Sequence, residues 1–140
     1  MPPRYGPWQK DGRIMPKALV VDDSRTMRRI LAGILEGVGY RVWQAGHGLE
    51  GLEAIERERA DGPFDLILAD WNMPEMNGLD FIKALRKDPG NRGIAVMMVT
   101  TETQVEQMVK ALAAGASEYL MKPFTKDMIE DKLRMLGLIP

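Results

Sequence analysis

Short, continuously apolar runs alternate along this chain with longer stretches in which apolar residues recur every three or four positions. Lys17 to Asp22, Tyr40 to Ala45, Phe64 to Asp70, Ile94 to Val99 and Ser117 to Met121 have the length and composition of strands. The intervening stretches have the helical period. In the first, Met27, Ile30, Leu31, Ile34, Leu35 and Val38 share one face, Ser24 offers an N-capping hydroxyl, and Gly37 and Gly39 supply a stop. The second helix runs from Leu49 to near Ala60 and closes at Gly62-Pro63. The third runs from Leu79 to near Lys87 and ends at Pro89 and Gly90. Val105, Met108, Val109, Leu112 and Ala113 mark a fourth amphipathic helix, closed by Gly115. The last spans Thr125 to near Leu136, with Met128, Ile129, Lys132, Leu133 and Leu136 on its inner side. Five strand–helix units with short connections imply right-handed crossovers and an α/β fold built on a single doubly wound, five-stranded parallel sheet. Phe64 to Asp70 is the most continuously apolar run and suits the centre of such a sheet, covered on both faces.

Four of the runs stop at polar residues. Asp22 and Asp23 follow Val20-Val21, Asp70 follows Leu68-Ala69, Thr100 follows Met98-Val99, and Lys122 follows Leu120-Met121. If the strands are parallel these ends share one edge, where open α/β sheets bind their ligands. Taken singly, the Asp22-Asp23 pair reads as solvated turn acids, Thr100 as a β-branched strand end, Lys122 as a solvent-facing lysine and Tyr119 as strand packing. Taken together, three carboxylates, a hydroxyl and an ammonium make a site for a divalent cation and a phosphoryl group. The carboxylates repel one another unless a cation intervenes, and an all-oxygen site with open positions suits Mg²⁺.

Composition narrows the field. With 140 residues, 45% hydrophobic and 28% charged, the chain has the size of one ordinary domain. The first sixteen residues, rich in Pro and Gly and without an apolar period, are expected to form a disordered extension (1–16) ahead of a folded domain (17–140). Met15 is a possible start, and Tyr5 and Trp8 leave a docking role open. A net charge of -1 without a basic stripe gives no footprint for nucleic acid. The absence of cysteine excludes disulfides, thiol nucleophiles and thiolate metal sites, and the single histidine, His47, excludes a multi-histidine metal site. No stretch has the apolar length of a membrane span, so a cytoplasmic location without membrane contact is expected.

Asp70-Trp71-Asn72-Met73-Pro74, followed by Met76-Asn77-Gly78-Leu79, resembles the phosphoacceptor segment of response-regulator receiver domains. Val20-Val21-Asp22-Asp23-Ser24, Val99-Thr100-Thr101 and Met121-Lys122-Pro123-Phe124-Thr125 match that family in order and spacing, so the likeness covers Lys17 to Leu138. With Thr26-Met27-Arg28-Arg29-Ile30, the likeness is closest to the stand-alone chemotaxis regulators of the CheY type. The resemblance implies a flavodoxin-like (βα)5 fold with strand order 2-1-3-4-5. It implies Mg²⁺ held by Asp23, Asp70 and the Asn72 backbone carbonyl, with Asp22 acting through water. Asp70 would be the nucleophile that becomes an acyl phosphate, and Lys122 would neutralise phosphoryl charge. Thr100 and Tyr119 would form a switch, with Tyr119 shifting inward as Thr100 moves toward the phosphoryl group. Asn72 and Glu102 would tune dephosphorylation in a short-lived phosphorylated state. The Lys122-Pro123 peptide would be cis.

By the same likeness Met108, Leu112, Tyr119, Met121, Met128 and Lys132 form the partner face, although methionine at helical spacing also serves as core filling. Three positions depart from the pattern. Gln104 and Val105 replace residues that are often basic in chemotaxis relatives, which weakens the case for the same kinase and motor contacts. His47 stands where an acidic or amide residue is common, and is expected in an exposed loop with no catalytic role. The implied partners are a sensor histidine kinase and a downstream protein such as a flagellar motor switch, with the chain a monomer or a phosphorylation-dependent dimer. The alternatives are a phosphorelay intermediate, a single-domain regulator of another pathway, and a flavodoxin-like or phosphohydrolase enzyme. The enzyme is disfavoured because no second aspartate follows Asp70 at the required spacing and no cap domain fits.

Overall fold

Parallel pairing of apolar strands sets the register on which the upper edge of the sheet is built. The computed structural model describes residues 15–140. Its elements are β1 (Lys17–Val21), α1 (Arg25–Gly37), β2 (Arg41–Ala45), α2 (Gly48–Glu58), β3 (Leu66–Ala69), α3 (Gly78–Arg86), β4 (Ala95–Thr100), α4 (Val105–Ala114), β5 (Glu118–Met121) and α5 (Lys126–Met135). The five strands are parallel in the order β2-β1-β3-β4-β5. The expectation of a disordered extension lies outside the described residues, except at Met15 and Pro16. Pro16 is buried, and its carbonyl accepts from Arg41 N at 2.9 Å.

Successive side chains of a strand point to opposite faces, so each strand feeds two cores. Leu19, Val21, Ile67, Val96 and Met98 pack with Ile55, Phe81, Ile82 and Leu85 beneath α2, α3 and α4. Ala18, Val20, Leu66, Leu68, Met97 and Val99 pack with Leu31, Leu35, Ile129 and Leu133 beneath α1 and α5. β1 and β3 are buried at every residue, as strands covered on both sides must be. At the lower edge the buried Lys17 turns its ammonium onto the carbonyls of Glu58 (2.9 Å) and Gly62 (2.6 Å), which end α2. Its charge also lies 5.2 Å from the Trp43 ring centre and 5.0 Å from that of Phe64.

α1 starts where its cap predicts, but on several helices side chains face the other way. Ser24 caps α1 by accepting from Met27 N, while Ile30, expected on the inner face, is exposed and Ala32 is buried in its stead. On α4 only Ala111 is buried; Val105, Val109 and Leu112 face solvent, as does Ala113. Met128 of α5 is also exposed rather than inward. His47 lies in the loop before α2, as expected, but is half-buried rather than exposed. It is the N-cap of α2, its Nδ1 accepting from Glu50 N at 3.2 Å while Glu50 accepts from Gly46 N in return. Single 3-10 turns at Arg59–Asp61 and Pro89–Asn91 finish the connections after α2 and α3.

Two glycines separate backbone entropy from packing. Gly33 lies inside α1 with open space around its Cα, whereas a Cβ on Gly78 would strike the carbonyl of Asp70 and, at 2.9 Å, the Cα of Trp71. Gly33→Ala is therefore expected to stabilise the protein by roughly 0.5–1 kcal/mol, and Gly78→Ala to destabilise it by more than about 2 kcal/mol. Urea melts of the two variants against the parent measure both signs.

Candidate functional site

Asp22, Asp70 and Lys122 each stand one residue beyond the end of a strand, and the neighbouring strand holds each one by its backbone amide. Asp22 N donates to Ala45 O (3.1 Å), Asp70 N to Val21 O (3.0 Å) and Lys122 N to Thr100 O (2.9 Å). The ladder thus extends just far enough to fix the polar residues that terminate it. One carboxylate oxygen from each of Asp22, Asp23 and Asp70 lies within 4.8 Å of the other two. Lys122 reaches back from the edge strand β5, past β4, to place Nζ 3.0 Å from Asp22 Oδ2 and 3.3 Å from Asp70 Oδ2. Its side chain is only 13% exposed, so it is not the solvent-facing lysine that its type alone suggests.

Burial differs sharply within the cluster. Asp22 is sealed, Asp70 is buried and Asp23 is exposed. Burial pushes the Asp22 carboxyl above the usual carboxylate range. The Ser24 amide, which donates to Oδ1 at 2.8 Å, and Lys122 pull it down, while the Asp70 charge adds to the rise. Asn72 N donates to Asp70 Oδ1 at 3.3 Å, with the Asn72 side chain exposed beside it. The donor set is all oxygen, opens to solvent at Asp23, and carries more negative charge than one ammonium balances. Those properties suit a hard divalent cation that keeps part of its water.

On the β4 side Thr100 is fully buried and its Oγ1 accepts from Glu102 N at 3.2 Å. The Tyr119 hydroxyl donates to the carbonyl of the same residue, Glu102, at 2.9 Å. Tyr119 is buried, with its hydroxyl turned to the Glu102 carbonyl. Burial, with the charges of Glu102 and Asp70, pushes its phenol up to about 12. The Glu102 side chain is half-buried.

Five of the six expected partner-face residues, Met108, Tyr119, Met121, Met128 and Lys132, line one cavity of about 610 Å³, together with Thr103, Leu120, Lys122 and Pro123. Leu112 is exposed on α4 but does not line it. Lys132 is held by Glu118 at 3.3 Å. The Lys122-Pro123 peptide is cis, as expected. His47 is not among the clustered carboxylates.

Sequence reasoning missed three features of this edge. Arg28 Nη1 donates to the main-chain carbonyl of Asp22 at 2.6 Å. The Glu102 backbone joins Thr100 to Tyr119. Glu75, in the loop after Asp70, adopts φ 67° while Met76 N donates to Pro74 O at 2.7 Å. Only the third has a sequence signal, the adjacent Met73-Pro74 turn.

Residues 18–134 match the response regulator receiver domain family. The chain is 43% identical over 121 residues to chemotaxis protein CheY1 of Helicobacter pylori, an alignment covering 86% of this chain and 95% of that protein. It is 40% identical over 118 residues to chemotaxis protein CheY-3 of Vibrio cholerae, covering 84% and 88% respectively. Among solved structures, that of chemotaxis protein CheY4 of Vibrio cholerae superposes with a TM-score of 0.79 at 36% identity, covering 86% of this chain and 98% of the other.

The sealed Asp22 sets a pH signature for metal-free protein. Because its native carboxyl holds a proton to higher pH than in the unfolded chain, the folded state binds more protons above the ordinary aspartate value of 3.8, and stability falls as pH rises through that window. Asp22→Asn should flatten this fall and, without added cation, raise stability at neutral pH by roughly 1 kcal/mol, about 3 °C in Tm. Thermal melts of both proteins between acid and neutral pH, in chelator, measure the slope.

Proposed function

The chain belongs to the response regulator receiver domain family, and from that footing we propose that it accepts a phosphoryl group on Asp70 from a sensor histidine kinase and switches a protein-binding face in response. The observation that carries this reading is the Lys122 ammonium bridging Asp22 and Asp70 at the strand-end edge. An Asp70 oxygen attacks phosphorus as the bond to the donor histidine nitrogen breaks, giving an acyl phosphate. Lys122 neutralises charge on the phosphoryl oxygens as it develops. Asp22, Asp23, Asp70 and the Asn72 carbonyl would hold Mg²⁺, Asp22 through water, and the ion, when bound, supplies further neutralisation of the phosphoryl oxygens.

The switch follows from hydrogen-bond bookkeeping. Thr100 Oγ1 accepts from Glu102 N, so its own proton is available to donate to a phosphoryl oxygen. A Thr100 that turns toward phosphate loosens its hold on the Glu102 amide, and Glu102 carries that change to Tyr119 through its carbonyl. Tyr119 lines the Met-rich cavity, so the event reaches the partner face. Flexible, polarisable Met108, Met121 and Met128 make that cavity an adaptable seat for an apolar helical segment of a target. The relatives CheY1 and CheY-3 are chemotaxis proteins, which supports a role in chemotaxis, with the flagellar motor switch as target and the cytoplasm as the site of action. Asn72 and Glu102 flank the acceptor and would set the lifetime of the phosphorylated form.

Incubation with Mg²⁺ and a small acyl-phosphate donor should add one phosphoryl group by intact-protein mass spectrometry. Asp70→Asn should show none, and Lys122→Ala should slow the reaction roughly 100-fold. The label should disappear within minutes, and persistence for hours would remove the fast-signalling reading. With target in hand, Met108→Glu and Met121→Glu together should weaken its binding at least about tenfold by calorimetry, and unchanged binding would place the interface elsewhere.

A further inference from the structure

We propose that Arg28 is a positioning residue of the cation site, its guanidinium clamping the main-chain carbonyl of Asp22 and so fixing the turn that carries Asp22 and Asp23. This rests on the reading of the carboxylate cluster given above and assigns it a support that lies outside the cluster.

Arg28 occupies the first turn of α1, where the unpaired amides of a helix make a cation unfavourable. Its head group is not drawn there by a carboxylate partner, since among the described residues it forms no ion pair. Instead Nη1 lies 2.6 Å from the oxygen of Asp22, a short, charge-assisted contact. That carbonyl is the last polar group of a sealed residue to be accounted for. Asp22 N is taken by Ala45 O, Oδ1 by the Ser24 amide, and Oδ2 by Lys122. Without Arg28 a carbonyl at a 1% exposed residue would lack the partner that buried polar groups require.

The geometry gives the clamp a specific consequence. The carbonyl of Asp22 belongs to the peptide plane that joins Asp22 to Asp23, so fixing its oxygen fixes the direction in which the chain enters Asp23. Asp23 is exposed, and no hydrogen bond involving it is found among the described residues outside the helices and strands, so that plane is its main constraint. Gly46, in the turn before α2, borders the guanidinium without crowding it. A Cβ there would stand 3.6 Å from Arg28 Nη1 and 3.6 Å from Glu50 Oε1.

Arg28 could act on a cation in two ways with opposite signs. As a mere positive charge beside the cluster it would repel the ion, and its removal would tighten binding. As a clamp it orients the ligands, and its removal weakens binding. The test is titration calorimetry of Mg²⁺ into the whole protein and into Arg28→Met, which keeps a long apolar stem without donors or charge, with thermal melts in chelator to confirm folding. Supports of metal ligands typically contribute ten- to a hundredfold, so a rise in Kd of about tenfold is expected. An unchanged or lower Kd overturns the proposal. Arg28→Lys, which keeps one donor and the charge, should fall between the two. A Kd equal to that of Arg28→Met would count against the clamp, and this variant carries the test if Arg28→Met does not fold. Failure of the parent protein to bind Mg²⁺ would instead overturn the reading of the cluster itself.

Discussion

The ammonium of Lys122 is the interaction on which the rest of the upper edge depends. Two aspartates on adjacent strands, one sealed and one nearly so, face each other across a gap that bare carboxylates would resist. The lysine that offsets this lies one residue beyond the edge strand β5, where its amide is tied to Thr100 O and its ammonium meets both carboxylates. Strand order is part of the electrostatics in that it brings these parallel strand ends to one edge. Even so the balance is incomplete, because burial still holds the Asp22 carboxyl high and, among the described residues, Asp23 has no ammonium within ion-pair distance. A further cation would complete it.

The two halves of the sheet are secured unequally. On the β1 and β3 side, the carboxylates hang from ladder hydrogen bonds, α3 begins against the backbone of Asp70 and Trp71 with no room for a Cβ, and Arg28 holds the turn above β1. On the β4 and β5 side, Thr100 and Tyr119 are linked through hydrogen bonds to the main chain of Glu102, and the adjoining α4 buries one residue, against four for α3. Few buried contacts mean a low cost of local rearrangement. Chemistry that demands fixed ligands thus sits on the rigid half, and the element able to move sits beside the apolar cavity.

The five strands were legible because burial on both faces leaves a run of apolar residues that little else produces. Their order was not legible in the pattern, since short right-handed connections permit several orders; it came from the likeness of the motifs to a family. The strand-end residues were legible for the same reason as the strands, as polar residues closing an apolar run. Helical period was a weaker guide. It marks an apolar stripe but not whether anything covers it, and the stripe of α4 through Val105, Val109 and Leu112 faces solvent while Ile30 and Met128 do likewise on their helices. The capping role of His47 was missed because imidazole is an uncommon cap, although its Nδ1 does the work of an acid or amide oxygen. The clamp of Arg28 and the bridging role of Glu102 escaped because each runs through main-chain atoms, of Asp22 and of Glu102 itself, which every residue carries alike.

Lys122 and Tyr119 belong to both ends of the proposed mechanism. Lys122 holds Asp22 and Asp70 and also lines the methionine cavity, and Tyr119 lines that cavity while bound to the residue that satisfies Thr100. A partner segment seated in the cavity touches the same side chains that a charge on Asp70 would disturb. Coupling of this kind is reciprocal by thermodynamic necessity. If the modified acceptor favours one placement of Tyr119 and Lys122, a partner that favours the same placement must in turn stabilise the modified acceptor. Tyr119 packs in the same core as Met98, with its hydroxyl held by the Glu102 carbonyl, so any change in its placement is felt at both ends. What this linkage asks of a partner is a differential affinity for the two placements and not the building of a new surface.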